Sequence, residues 1–409
     1  MLTAMVKRRL LMTTTAYPPS TGGVQAHIED VRARLTRYEA DVATLWLRSR
    51  RDWLLGTTLR LGEPDLHAPS PGVTRLGWPA ATRARMAPWA AIYYAIPAQA
   101  ASRIANQMLP FVDRVVSSEH VLIHNHRIGR EFLAMASLAV ARRRGIPFVL
   151  TPHHHSKWKG YRYEGWLRVY RSADAVLTLT QNESRELERL GVAPERLRLI
   201  GGAAEEAMPG DAARFLARIG VTARPIVLFI GQLYEYKGVA ELTAAVEALN
   251  AAGHAVDLVF IGPSTPFSER YFGRTARPWL HVLGNVDAQT KWDALEACAV
   301  LCLPSRNEAF GRVYLEAWAK AKPVIGGRIP AVREVITEGE TGLLVEPGSV
   351  DELKGALERL LDDPALAARL GANGAHEVVG RFSWREVVSR IEAAYDSVLE
   401  TASRRVAAS

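Results

Sequence analysis

The sequence predicts an α/β protein built from two doubly wound, Rossmann-like domains, and three observations carry that expectation. Short apolar runs alternate with amphipathic helical stretches along the whole chain, which is the pattern of a parallel sheet wrapped by helices. The alternation occurs twice, on either side of the Gly-, Ala- and acid-rich stretch IGGAAEEAMPGDAARF at 200–215. The length, 409 residues, exceeds that at which one hydrophobic core keeps growing, so two domains are expected. The boundaries read as 1–205, 206–380 and a closing helical segment, 381–409.

In the first half, LLMTTTAY (10–17) reads as a strand that ends in a Pro-Pro-Ser-Thr-Gly-Gly loop. VQAHIEDVRARL then places apolar residues at helical spacing. DVATLWL, HVLIHNH, IPFVLTPHH and DAVLTLT read as further strands, with helical segments such as EFLAMASLAVARRRG between them. In the second half PIVLFIG, VDLVFIG, AVLCLPS, PVIGG and GLLVEP are strand-like, and GVAELTAAVEALNAAG and SVDELKGALERLLDD are helical. Ligands of such sheets bind beyond the carboxyl ends of the strands, so a cleft faced by both domains is expected. Residues 51–112 are the least regular part. They interleave Trp53, Trp78, Trp89, Tyr93 and Tyr94 with Arg60, Arg75, Arg83, Arg85 and Arg103. A basic, aromatic, amphipathic segment suits a membrane interface, and it equally suits a helix pair packed on the sheet.

An apolar content of 48% with 23% charged residues is that of a water-soluble globular chain, and no run approaches the ~18 consecutive apolar residues of a membrane-spanning helix. The start, MLTAMVKRRLLMTTTAY, is basic and only briefly apolar, so a first strand is expected there instead of a signal peptide. The two cysteines, Cys298 and Cys302, lie in an apolar run and read as buried free thiols, which fits a reducing cytoplasm. Residues 1–210 carry 29 Lys and Arg against 18 Asp and Glu, a formal +11; the remainder carries 22 against 25, a formal −3. The basic half is expected to meet an anion: phospholipid headgroups, a phosphorylated acceptor or nucleic acid. Charge that serves only solubility is the plain alternative.

Chemistry concentrates in EAFGRVYLE, Glu308 to Glu316. The helix here is expected to begin near Phe310–Gly311, with Glu308 before it and Glu316 in its second turn. Eight residues of continuous helix span about 12 Å and turn by about 80°. Carboxylates so placed do not flank one scissile bond. Each suits its own pair of hydroxyls, while Gly311 allows close backbone approach and the helix start offers N–H groups to a phosphate. A solvated surface position is the alternative for Glu316. The histidines are equally uneven: eight of eleven precede residue 200. HNH (124–126) and TPHHH (151–155) close two successive strands and would face a ligand. Imidazoles are common metal ligands, but no carboxylate motif of metal spacing accompanies them and no Asp-x-Asp occurs, so no metal site is expected.

These motifs bear a family resemblance. Glu308 and Glu316 resemble the E-x7-E signature of retaining GT-B glycosyltransferases, the large family four, and KPVIGGRIPAVREVITEGETGLLVEPGSVDEL resembles the segment that follows it there. The resemblance implies that Glu308 binds the hydroxyls of a donor sugar, that Glu316 binds the nucleotide ribose, and that Ala309, Phe310 and Gly311 give main-chain contacts to sugar and phosphate. FIGQLYEYKGV (229–239) resembles the family's phosphate loop. There Lys237 would pair with the donor diphosphate, Gly231 and Gly238 would shape the turn, and Gln232 stands where an arginine is usual. Arg306 or Arg312 would then be called on to compensate. TAYPPSTGGVQAHI resembles the first loop and helix, with Gly22 and Gly23 approaching donor or acceptor. His153 matches an active-site histidine, and His124 with His126 matches a His-x-His strand end. RFSWREVVSRIEAAYDSVL (381–399) resembles a helix that crosses back to the first domain, and Val387, Val388, Ile391, Ala394 and Tyr395 suit its buried face.

The function implied is a metal-independent, retaining transfer of a sugar from a nucleotide-sugar donor, a UDP- or GDP-sugar, to a glycan or lipid-linked acceptor. Synthesis of a cell-surface polysaccharide or glycolipid is its implied setting. No cofactor beyond the donor is expected. The location implied is the cytoplasm, with peripheral contact at the anionic inner face of the membrane. A sugar-nucleotide epimerase and a non-catalytic sugar-nucleotide-binding relative are the alternatives. Nucleic acid as a partner rests only on a pI of about 9.6, with no recognisable motif behind it, and is not expected.

Overall fold

The computed structural model describes residues 7–18, 20, 22–45, 70–154, 160–204, 207–221, 224–273 and 277–408. It divides into two compact units, Met1–Ile200 with Val387–Ser409, and Gly201–Glu386.

The first unit holds a seven-stranded sheet in the order β3-β2-β1-β4-β5-β6-β7. Its strands are β1 (Arg8–Thr14), β2 (Tyr38–Leu45), β3 (Val73–Leu76), β4 (His120–His126), β5 (Phe148–Thr151), β6 (Ala175–Thr178) and β7 (Leu197–Leu199). Every pairing is parallel. The order reverses between β1 and β4, and there the side chain of Asn125 donates to the Thr13 carbonyl at 3.0 Å and to its hydroxyl at 2.9 Å. The second unit repeats the plan with six parallel strands in the order β10-β9-β8-β11-β12-β13. These are β8 (Ile226–Ile230), β9 (Asp257–Ile261), β10 (Leu280–Gly284), β11 (Val300–Leu303), β12 (Val324–Gly327) and β13 (Leu343–Val345), and the order reverses between β8 and β11.

The interior strands form because both their faces are covered. VLCL of β11 and FVLT of β5 are buried at every position, as a parallel sheet with helices on both sides requires. Most of the predicted elements lie within two or three residues of their observed bounds. β3, β7 and β10 do not read from the sequence as strands. All three are edge strands, and two of them, β7 and β10, have no fully buried position.

Of the aromatic, basic segment, residues 51–69 lie outside the described residues, with Trp53 and Arg60 among them. The rest forms β3 and a helix pair, Ala80–Ala91 and Pro97–Val115. Trp78, Met86, Tyr93, Ile104, Met108 and Val112 belong to the core of the first unit, and Trp89 packs against it. Ile92 and Tyr94 are exposed. Among the described residues no helix is long and apolar enough to cross a membrane.

The last helix, Trp384–Ala408, buries Val387, Val388, Ile391, Ala394 and Tyr395. Its Glu392, 2% exposed, accepts the backbone N–H groups of Thr36 and Arg37 at 2.7 and 2.8 Å and the Arg37 guanidinium at 3.0 Å. Burial alone would raise this carboxyl's pKa; the bonds from Arg37 and Thr36 outweigh it and hold the value below the ordinary one. Cys298 and Cys302 are buried free thiols, and burial raises both pKa values.

Candidate functional site

In the second unit the functional side chains gather where strand order reverses. Lys237 ends a short 3-10 turn after β8, and Glu308 lies on the loop after β11. Though 71 residues apart in sequence, they form an ion pair, with the two side chains 13% and 9% exposed. The Ser305 hydroxyl donates to the same carboxylate oxygen at 2.9 Å. Gln232 follows β8, half-buried, and its carbonyl accepts the Tyr234 N–H at 2.8 Å. The two cations that could compensate for it are engaged within the unit. Arg306 donates to Glu241, and the Arg312 guanidinium lies 6.0 Å from the ring centroid of Trp384.

Glu316 sits in the seven-residue helix Arg312–Trp318 and is buried, 8% exposed, so it is not a solvated helix position. Lys291, from the helix Ala288–Ala297, places its ammonium 3.3 Å from the carboxylate. Nothing in the sequence singles out Lys291.

Backbone geometry explains two glycines. Gly238 has φ 77°, and a Cβ there would lie 2.8 Å from the Pro304 carbonyl oxygen. Gly311 has φ 88°, and its Cβ would lie 2.5 Å from the Tyr314 ring, whose hydroxyl bonds the Leu303 carbonyl at 2.8 Å. Both positions need glycine on steric and conformational grounds. Ala309 is half-buried, and Phe310 is buried with its ring against Gly202 and 5.8 Å from that of Phe382. What Phe310 offers a ligand is therefore main chain.

In the first unit Gly22 and Gly23 open the helix Gly23–Arg34 after β1. Gly22 is extended, with φ 161°. A Cβ on Gly23 would meet no atom of the described residues within 4 Å, so packing against them does not require glycine there. β4 delivers His124 and His126, and the turn after β5 delivers His153 with φ 43°, one of two described non-glycine residues at positive φ. Such backbone is strained and often marks a functional position.

The three histidines do not behave alike. The ring nitrogens of His124 share hydrogen bonds with the Tyr395 hydroxyl at 2.7 Å and the Thr151 hydroxyl at 2.8 Å. Burial, reinforced by His153, lowers its pKa to about 3. His126 is 1% exposed, and neither of its ring nitrogens has a hydrogen-bond partner among the described residues. Burial first, then His124, His27 and His153, push its pKa well down. His153 is 5% exposed, its ring centroid 6.2 Å from that of His126 and 5.2 Å from that of His27. His27 completes a group of three whose ligand atoms lie within 4.8 Å of one another. The sequence reading passed over His27; its signal was a histidine on the face of the first helix that also buries Ile28 and Val31.

Two buried carboxylates lie nearby. Glu183 accepts the His154 N–H at 2.6 Å and the Leu179 N–H at 2.7 Å, and so fixes the backbone next to His153. Burial raises its pKa to about 7 against those bonds. Glu131 accepts from the Tyr93 hydroxyl at 2.6 Å, and burial raises its pKa as well.

Comparison with known proteins places the family. Residues 22–203 match the model of the glycosyl transferase 4-like domain, and residues 217–377 match that of glycosyl transferases group 1. The D-inositol 3-phosphate glycosyltransferase of Acidothermus cellulolyticus is 32% identical over 322 residues, which cover 70% of this chain and 69% of that protein. Two solved structures share the fold at low identity. Sucrose-phosphate synthase from Thermosynechococcus elongatus gives a TM-score of 0.73 at 19% identity and covers 97% of this chain and 100% of its own. Anabaena HepE in complex with UDP and glucose gives 0.71 at 18% and covers 95% and 100%. With two parallel Rossmann-like sheets, both domain models matched in order and a relative at this identity, the chain belongs to the group 1 glycosyltransferases, enzymes of the GT-B fold.

Proposed function

We propose that this glycosyltransferase moves a sugar from a UDP- or GDP-sugar to a glycan or lipid-linked acceptor with retention of anomeric configuration. The second unit would bind the donor and the first the acceptor. The observation that carries the reading is the Lys237–Glu308 pair at the carboxyl ends of β8 and β11, where an open α/β sheet binds its ligands. The pair is a self-neutralised form of two binding groups. On donor binding, the Lys237 ammonium exchanges Glu308 for the diphosphate, and the Glu308 carboxylate accepts the sugar hydroxyls in its place. Glu316 accepts the ribose hydroxyls, displacing Lys291. Ala309, Phe310 and Gly311 offer backbone to sugar and phosphate, and Gln232 contacts the diphosphate without adding charge.

The transition state is oxocarbenium-like, and negative charge grows on the departing diphosphate. Lys237 stabilises that charge by position and electrostatics, with no metal ion invoked at the diphosphate. The leaving phosphate oxygen takes the proton of the acceptor hydroxyl as the new bond forms on the same face. His153 orients sugar and acceptor, His126 and His124 line the acceptor side, and Gly22 and Gly23 let backbone approach it. The UDP and glucose bound in the HepE structure support a UDP-sugar as the first candidate. The +11 charge of residues 1–210 favours an anionic acceptor or an anionic membrane face. Exposed Ile92, Tyr94 and Tyr161 would supply the peripheral contact; sedimentation with anionic vesicles, with no enrichment over neutral ones, would remove that part.

The test is a thermal-shift panel of UDP-, GDP- and ADP-sugars on the parent chain, on Lys237→Ala and on Glu316→Ala. One donor class raises the parent's melting temperature, and both variants lose the shift. A donor that shifts all three chains equally would place its site elsewhere.

A further inference from the structure

We propose that His27, His126 and His153 form a transition-metal site of the zinc class in the first unit, separate from the residues assigned to the donor diphosphate. Three elements supply one imidazole each: the helix Gly23–Arg34, the last residue of β4 and the turn after β5. All three side chains are buried, at 3%, 1% and 5% exposure. Their ligand atoms lie within 4.8 Å of one another. Around one tetrahedral zinc with Zn–N bonds of about 2.05 Å, the nitrogens sit about 3.4 Å apart. The observed group is therefore at most about 1.4 Å wider than the bound one, a gap that small imidazole rotations close.

The second observation is His126. Both of its ring nitrogens are buried without a hydrogen-bond partner among the described residues. A buried polar nitrogen left so costs on the order of 1–3 kcal/mol in general, and a metal bond on one of them removes that cost. His124 is the internal contrast. Its ring centroid is only 4.0 Å from that of His126, yet its two nitrogens are committed to Tyr395 and Thr151, which leaves it outside the ligand set. Three imidazoles make an incomplete tetrahedron, so a water or a substrate hydroxyl takes the fourth position. The ion would be zinc, cobalt(II) or copper(II), not magnesium or calcium, because every protein ligand is nitrogen. A metal held here occupies His153, so the site would couple metal occupancy to the acceptor side of the transfer; that consequence rests on the proposed function, whereas metal binding itself does not.

The experiment strips the full chain with chelator and titrates it with cobalt(II), reading the d–d absorption of a four-coordinate site, with zinc competition as the second readout. The expected result is saturation at one equivalent, loss of the absorption on adding zinc, and at least a tenfold weaker affinity in His126→Ala and in His27→Gln. The second variant keeps the test open if the first fails to fold, and His376→Ala serves as the surface-histidine control. Binding without a one-equivalent end point, or saturable binding that both variants leave unchanged, would overturn the site. The donor panel on Lys237 and Glu316 variants is run in chelator, so failure there and failure here are separate results.

Discussion

At the reversal point of the first sheet the strand ends present imidazoles and hydroxyls; at that of the second they present ammonium groups and carboxylates. The two sheets share one topology, and each buries its functional residues, but the consequences of burial diverge. In the first unit His124 and His126 lose their charge to desolvation, and His124 does so down to a pKa of about 3. In the second, Lys237 faces Glu308 and Lys291 faces Glu316, so charge is kept in pairs. The lesson is that one scaffold presents neutral imidazoles at one reversal point and ion pairs at the other, although the first unit also buries charge at Arg127, next to His126, and at Glu392, which pairs with Arg37. In the proposed reading a sugar nucleotide would use the ionic one, because its diphosphate must be met by a cation. An acceptor hydroxyl is better met by neutral groups that do not compete for its proton.

The sharpest way to break this contrast is at Lys237. Lys237→Ala should lower turnover by about 10²–10³-fold, the range for loss of one preorganised group at developing charge, and it leaves the Glu308 carboxylate, 9% exposed, with the Ser305 hydroxyl as its remaining hydrogen-bond partner among the described residues. Adding Glu308→Gln in that background should recover thermal stability without recovering turnover. Steady-state rates and urea midpoints on the single and double variants read both effects. Parental turnover in Lys237→Ala would mean that the ionic half is not where the leaving group is stabilised.

The neutral half can be probed by pH through Glu183. Its folded pKa is raised from 4.5 to about 7, so the folded chain holds that proton more tightly than the unfolded one. The stabilisation this provides is complete below pH 4.5 and is lost as pH rises through 7. In Glu183→Gln the term is absent. The unfolding free energy of the variant relative to the parent should therefore move in the variant's favour between pH 5 and pH 8, by up to about 3 kcal/mol. Paired denaturant titrations at the two pH values measure it; a pH-independent difference would show that Glu183 is ionised throughout.

How far the sequence disclosed all this follows from the same physics. Interior strands are covered on both faces, so HVLIHNH and AVLCLPS announce themselves as apolar runs, and HVLIHNH coincides with β4 from end to end. Edge strands have one bonded neighbour and a wet side. LRL of β7 and LHVLG of β10 could therefore be polar or mixed and passed unseen. Residues near one another along the chain, Glu308 with Gly311 or His124 with His126, were legible as a set. Contacts across the fold were not: nothing in the chain says that Lys237 closes on Glu308, that Lys291 reaches Glu316, or that Tyr395 caps His124 from 271 residues away. His27 was hidden for a related reason, since one histidine on an apolar helix face looks like packing until His126 and His153 are set beside it.

The smallest expected stability effects come from glycines at the two helix starts, and they sharpen the comparison most cleanly. Gly238 has φ 77° and the Pro304 carbonyl 2.8 Å from where a Cβ would sit, so Gly238→Ala should cost about 1–3 kcal/mol with or without donor present. At Gly23 the backbone is helical and a Cβ would meet no atom of the described residues within 4 Å. Gly23→Ala should therefore leave the denaturation midpoint within about 0.5 kcal/mol of the parent, or raise it slightly by restricting the unfolded chain. If that glycine exists for close approach of a ligand, the methyl group that folding tolerates will instead raise KM. A variant as stable as the parent but with weaker substrate binding would assign Gly23 to the ligand. A variant unchanged in both would show that the first helix start is only a turn, and the acceptor would then have to be placed by the histidines alone.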